Sequence, residues 1–395
     1  ATVGTYAHVV SCTAMNSDGQ TCNTTGSFAA SNENEFLDIT ADLSDPTADG
    51  DAFAEISAYY YVDQQNTWFR SEFGYDGQYV DMENTEAQGD GIWVIANLDY
   101  ENAYFSGGSD WGSTPTGDSI AVGQGSNGAG IIDFSYDGDV LYHEFTHSVS
   151  AKAFNIGYGT FDSYGLDMSA GGVEEGNADY FAVTHHGNST LGEYSLGAYS
   201  GRDADNDDTC PGSLVGESHY DAEMVSGALW EMRTTLGQEK VDHLQFGAMS
   251  SSTVENFADF SAALVAEAED MAAAGDFGFT SADVDIVSSV LEARGLVACE
   301  RVVDMWVDGA TLTKLHYAAY DITGGEGGTP SAIQFRLTTG DSPEMLRLNI
   351  APSEPAYYTG TAGVLMRVGA PVEFTWEQGS GWSYTWTAVY DQQWT

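Results

Sequence analysis

The amino-acid sequence predicts an α+β protein with a β-rich N-terminal part, a mainly helical middle and a β-rich C-terminal part. Two observations carry this reading. Apolar residues recur at helical spacing in separate runs between residues 51 and 295, and beyond Cys299 they alternate with polar ones. A third observation bounds the architecture: 395 residues exceed what one hydrophobic core usually serves, so two or three domains are expected.

Taken in order, residues 1 to about 50 mix short β-type runs with Asn, Asp, Ser and Gly. DAFAEISAYYYVDQQNTWF (51–69) then has helical spacing, with Tyr59, Tyr60, Val62, Trp68 and Phe69 as core candidates. The Gly- and Ser-rich stretch 106–130 reads as exposed loops around an edge strand. In DGDVLYHEFTHSVSAKAF (137–154), Val140, Leu141, Phe145, Val149 and Ala153 fall at helical intervals, which predicts a buried helix. Further helices are expected over 171–184, 221–236 and, from Ala- and Val-rich patterns, within 254–295. IQFRL (333–337), LRLNI (346–350), VEFTW (372–376) and WSYTWTAVY (382–390) alternate as strands do, with GGEGG (324–328) between strands. The expected division is a β-rich lobe 1–154 ending in the HEFTH helix, a mainly helical lobe 155–302, and a β-sandwich-like accessory domain 303–395.

Charge narrows the function classes. With 60 acidic against 11 basic residues, the formal charge is −49. Such a surface repels nucleic acid and anionic membranes, and neither is expected as a partner. The few lysines (Lys152, Lys240, Lys314) give a shell that is comfortable where salt screens it, which points to a saline habitat. Apolar content of 42% and 22 tyrosines still describe a globular protein. No apolar stretch is long enough to span a bilayer, and Ala1 opens no basic and then apolar leader, so the chain reads as a mature form. None of the four cysteines sits in a CxxC pair. Of the three connectivities that four cysteines allow, the favoured one joins Cys12 to Cys22 and Cys210 to Cys299, in an oxidising compartment; secretion to the extracellular space is the expectation.

HEFTH carries the chemistry. His143 and His147 are four apart, about one helical turn, so both imidazoles leave the same face and can grip one metal ion. Glu144 lies beside that face, placed to take a proton from water activated at the metal and pass it to a departing amine. A hydrolytic zinc site has three protein ligands and keeps one position for water, so a third ligand must follow. The astacin-type continuation HExxHxxGxxH fails, because Ser150 and Ala153 occupy its Gly and His positions. Two candidates remain, in GGVEEGNADYFA (171–182) and in GTFDSYG (159–165).

GGVEEGNADYFA resembles the third-ligand helix of thermolysin and, more closely, of the fungalysins. The resemblance implies Glu175 as the ligand and Asp179, one turn on, as the carboxylate holding the ring of His143. Glu174 is the alternative neighbour, but it stands five rather than four from Asp179. GTFDSYG is similar to the aspzincin motif and offers Asp162, yet it is one residue short and too far from His147. SHYDAEMVSGALWEMR (218–233) resembles the fungalysin segment HxxGxIWSxALWxxR, with Ala222 in place of the usual Gly, which implies that His219 stabilises the oxyanion. The acid that orients this histidine in thermolysin stands five residues before it, where Leu214 is found here; Glu217 and Asp221 are substitutes. ENAYF (101–105) resembles the segment whose edge strand pairs with substrate backbone, giving Asn102 and Ala103 a substrate-binding role. Looser matches imply that Tyr158 also touches the oxyanion and that Arg202 contacts substrate.

Together these motifs span about residues 50 to 300 and identify the chain as similar to the gluzincins. They imply a thermolysin-like two-lobed catalytic unit with the active-site helix between the lobes, a zinc cofactor, protein or peptide substrates, and endopeptidase cleavage before a bulky apolar residue. Asp139 matches a thermolysin calcium aspartate, but His186 stands where the facing glutamate would be. DADNDD (203–208) starts like a calcium loop, without the Gly at its sixth position. His185 and His186 read as surface histidines, and His8, His243 and His316 as structural. Two alternatives stay open: a zinc aminopeptidase, and a non-catalytic adhesion protein that keeps zinc for stability.

Overall fold

The structure, a computed structural model, describes residues 2–29, 39–41, 50–82, 87–107, 117–124, 132–196, 201–306, 330, 333–338, 363–379 and 384–394. LRLNI, GGEGG and His316 lie outside the described residues.

The N-terminal part builds one mixed sheet. Its strands are β1 (Thr2–Val3), β2 (Ala7–Met15) and β3 (Cys22–Gly26), followed by helix α1 (Ala52–Phe73) and a small β4–β5 hairpin (Tyr79–Val80 with Gln88–Gly89). After these come β6 (Ile92–Leu98), β7 (Ala103–Ser106) and β8 (Ser119–Gly123). In space the order is β1-β2-β6-β8-β7, with β3 on β2; β2, β6 and β8 run parallel and β7 antiparallel to β8. Ile92, Val94 and Ala96 face the main core, while Trp93, Ile95 and Leu98 face a second, smaller one. A central strand covered on both sides reads as a continuous apolar run, and IWVIANL is one.

The stretch 106–130 departs from expectation here. β8 is buried throughout and lies between β6 and β7, and it is β7 that ends the sheet. Ile120, Ala121 and Val122 are too short a run, among too many glycines, to signal an interior strand. The α1 reading needs one correction too: Val62 and Phe69 are fully buried, but Tyr60 is 56% exposed. Successive helical residues turn by about 100°, so three consecutive tyrosines cannot all face one core.

Helix α1 starts at Asp51, whose carboxylate accepts the Phe53 N–H at 2.8 Å, and stops at Gly74 in the left-handed region (φ 68°). It is followed in the middle of the chain by α2 (Gly138–Ala153), α3 (Ser169–His186), α4 (Ser218–Leu236), α5 (Gln238–Ser251), α6 (Phe257–Ala274) and α7 (Ser281–Ala293). Short pairs decorate them: β9 (Asn155–Ile156) with β14 (Thr253–Val254), β10 (Thr160–Asp162) with β11 (Gly165–Asp167), and β12 (Thr190–Leu191) with β13 (Arg202–Asp203). Phe69 of α1 packs on Phe181 of α3 and Phe145 of α2, with ring centroids 5.1 and 6.0 Å apart. Truncating a ring buried in this way costs about 3–5 kcal/mol, so this trio fixes the three helices against one another.

Helix α5 has no counterpart among the expected helices. Its buried face carries Asp242 and Gln245 beside Val241, Leu244, Ala248 and Met249, which breaks the apolar rhythm. Both polar groups are held across the core: Asp242 accepts from the Tyr180 hydroxyl at 2.6 Å, and Gln245 donates to Asn177 at 2.9 Å.

Two disulfides join Cys12 to Cys22 and Cys210 to Cys299, the favoured pairing. Beyond the second, β15 (Val302–Trp306) pairs in parallel with β16 (Gln334–Thr338). Of the remaining strands, β17 (Val364–Met366) pairs with β20 (Gln392–Trp394) and β18 (Glu373–Gln378) with β19 (Tyr384–Val389), both antiparallel. This part is tied to the helical part. Trp376 lies on Phe161 with ring centroids 4.1 Å apart and donates its indole N–H to the Asp162 carbonyl at 2.7 Å, while Val303 and Ile333 join the main core. No helix among the described residues is long and apolar enough to cross a membrane.

Candidate metal centre

Helix α2 turns Leu141, Phe145 and Val149 into the core, which leaves His143 and His147 together on the other side. Their Nε2 atoms lie 2.9 Å apart, and Glu175 of α3 brings Oε2 to 3.3 Å from the first and 3.8 Å from the second. Among the described residues these three form the one group of His, Cys, Asp or Glu with ligand atoms all within 4.8 Å of one another. Gly176, next to Glu175, lets α4 come this close to α3. A Cβ there would stand 2.7 Å from the Ala222 carbonyl oxygen and 2.7 Å from the Val225 Cβ. The close approach sets His219, in the first turn of α4, with Nε2 3.3 Å from the other oxygen of Glu175.

Both imidazoles are anchored from behind. Asp179 lies 2.8 Å from Nδ1 of His143 and is itself gripped by Arg202 through two bonds of 2.7 and 2.8 Å. Glu174 lies 2.7 Å from Nδ1 of His147. Once each Nδ1–H is committed to a carboxylate, each neutral ring presents an unprotonated Nε2, and the two lone pairs converge with Oε2 of Glu175. That oxygen is buried and has no hydrogen-bond donor. Three acceptors and no donor at one point call for a cation, and two imidazoles with one carboxylate are a borderline-soft set that suits a transition-series dication.

The surrounding carboxylates favour positive charge at this point, carried by protons on the rings until a cation displaces them. Burial works against charge on His147, yet Glu174 and Glu175 push it up to about 10; His143 is likewise raised, burial and His147 being overcome by Asp179 and Glu175. Burial is also overcome at Glu175, which His147, His143 and His219 hold below the carboxylate range, and at Asp179, which Arg202 and His143 hold down. Glu144 differs. It is 7% exposed, and burial pushes its carboxyl above the ordinary range, so it can carry a proton.

The other predicted residues fall as follows. His219 is half-exposed and its Nδ1 lies 2.7 Å from Glu217, which also caps α4 by accepting the N–H groups of His219 and Tyr220. Glu217 therefore occupies the orienting place left open between it and Asp221, whose carboxylate instead accepts the N–H groups of Val215 and Gly216. Tyr158 is 76% exposed on the rim, near enough to Glu175, Glu217 and Glu174 to feel their charge. Ala103 opens β7, the end strand, against which α2 packs, and Asn102 immediately precedes it. Arg202 reaches the centre through Asp179. Asp162 does not join the cluster, its carboxylate being taken by Arg301 and the Tyr164 N–H. Asp139 is buried and paired with His186 at 2.6 Å. His186 is therefore an ion-pair partner rather than a plain surface histidine, and His185 packs between Trp68 and Tyr142, with burial lowering it to about 4. In the acidic loop 203–208 a guanidinium sits where a calcium ligand set was conceivable. Arg294 donates to the carbonyls of Asn206 and Asp208 and to the Asn206 side chain, at 2.7, 3.1 and 3.0 Å.

No protein-family model matches the chain, and no curated protein matches it in sequence. Among solved structures it is similar to the precursor of protealysin, a metalloproteinase from Serratia proteamaculans. The TM-score is 0.51 at 16% identity, over 74% of this chain and 88% of that one. At that identity the likeness defines the fold: a mixed α+β architecture shared with that protease precursor.

Proposed function

We propose that the chain is a zinc metalloendopeptidase of the thermolysin-like kind, with His143, His147 and Glu175 as the metal ligands. The observation that carries this is the convergence of three acceptor atoms with both Nδ1 protons committed elsewhere, on a fold shared with a metalloproteinase precursor. Zinc, when bound there, would act as a Lewis acid that acidifies water and polarises the scissile carbonyl. The chain's own groups do the rest. Glu144 accepts the proton of the attacking water and returns it to the departing amide nitrogen, a two-way role that a buried carboxyl of raised pKa suits. Burial opposes charge on His219, but Glu217 and Glu175 outweigh it and keep the ring protonated; it gives its Nδ1–H to Glu217 and donates from Nε2 to the developing oxyanion, with Tyr158 as a second donor on the rim. Ala103 on β7 offers backbone for an extended peptide to pair with, Asn102 just before it offers its side-chain amide because its own N–H and C=O are taken by Tyr100 and Gly123, and Arg202 completes the substrate side beyond Asp179.

The finer parts of this reading are the gluzincin assignment, the fungalysin-type motifs and the division at 154 and 302 with a β-rich accessory domain after it. Secretion is supported by two disulfides, which persist in oxidising compartments. A calcium role for Asp139 would require His186 to give up its ion pair. Glu144 favours catalysis over zinc-stabilised adhesion, because holding a metal does not require it.

Unfolded casein separates the readings. The zinc-loaded protein is expected to cut it internally, giving fragments whose new N-termini are bulky and apolar by mass spectrometry. Stepwise loss of N-terminal residues would mean an aminopeptidase, and intact casein would leave only the adhesion reading.

A further inference from the structure

We propose that Glu174 is a positioning residue for the metal, doing for His147 what Asp179 does for His143, and that it strengthens the grip of this centre on a divalent cation. The inference rests on the metallopeptidase reading above. Both carboxylate oxygens of Glu174 lie within reach of Nδ1 of His147, at 2.7 and 2.8 Å. Glu174 and Glu175 are consecutive on α3, about 100° apart around the helix. One thus meets the Nε2 side of the His147 ring and the other its Nδ1 side. This geometry keeps Glu174 from being a ligand and locks the ring in the tautomer and orientation that point Nε2 at Glu175. His143 is locked in the same way, so both histidines are fixed by carboxylates before an ion arrives.

Charge gives the second argument. Asp179 has a permanent cation in Arg202, whereas among the described residues no Lys or Arg pairs with Glu174; its ionic partner is His147. Asp179 is offset by Arg202, so Glu174 and Glu175 are the carboxylates that bring uncompensated negative charge against the ring of His147, one on each side of it. In a site this buried, charges that are matched count for more than they would in water. A neutral group at position 174 could still hold the ring, but it would leave a dication with one negative charge fewer.

Chelator competition on the purified full chain tests this. Glu174→Ala is expected to weaken zinc binding by ~10–100-fold, the usual cost of losing such a partner. Glu174→Gln keeps an oxygen that can accept the Nδ1–H without the charge, and should fall between Glu174→Ala and the unmodified protein. The ion pair with His147 is lost in both variants, so a modest fall in the metal-free melting temperature is expected in each. Unchanged affinity in Glu174→Ala, a Glu174→Gln no better than Glu174→Ala, or a Glu174→Gln whose metal-free form does not fold would overturn the positioning role. Failure of the unmodified chain to bind zinc, or unchanged binding in Glu175→Ala, would instead sink the metallopeptidase reading beneath it.

Discussion

Glu175→Ala is expected to lose bound zinc and peptidase activity together. The substitution removes one of three converging acceptors and leaves two imidazole nitrogens 2.9 Å apart to hold the ion alone. Histidine pairs without a third ligand are weak sites, and the remaining carboxylates, Glu174 and Asp179, face the wrong ring nitrogens to replace it. Asp162→Ala is the matched control, because its carboxylate is engaged by Arg301 and the Tyr164 N–H rather than by the cluster. Elemental analysis of the two purified variants should find zinc well below one per chain in the first and near one in the second. The reverse result would move the third ligand to β10 and undo the role given to His219.

Glu144→Gln separates chemistry from metal binding. Glutamine keeps the size of the side chain but cannot accept a proton from water, and no ligand atom of the cluster belongs to residue 144. Zinc content should therefore be unchanged while cleavage of a quenched peptide falls by at least ~10²-fold, the lower range for losing a positioned general base. Undiminished cleavage by the zinc-loaded variant would remove Glu144 from the mechanism and leave HEFTH as a metal site only.

What the sequence made legible follows from regular geometry. Residues four apart on a helix share a face, so HEFTH announces two ligands on α2, and Glu175 and Asp179 fall on one face of α3 in the same way. The parts that escaped depend on contacts with no fixed spacing. Glu217 reaches His219 from only two residues away because it sits at the N-cap, outside the helical repeat. Glu174 could be weighed only as a rival ligand until the ring of His147 was in place, since adjacent residues on one helix can grip opposite sides of a group from another. Arg294 meets the acidic loop across the fold, and nothing local in either segment marks the encounter. The strand β8 and the helix α5 were obscured by their surroundings, glycines in one case and buried polar groups in the other. Beyond Cys299 the alternation of β16, β18 and β19 is plain in the sequence, because strands with a polar face keep a period of two.

The central claim is that one zinc ion held by His143, His147 and Glu175 is what makes this chain a peptidase. Its most direct test is a titration: strip the protein with a chelator, remove the chelator, and follow cleavage of a quenched peptide as zinc is returned. Activity should be absent at the start, rise in proportion to added zinc and break at one equivalent per chain. Full activity in the stripped protein, or none after a full equivalent has bound, would contradict the account.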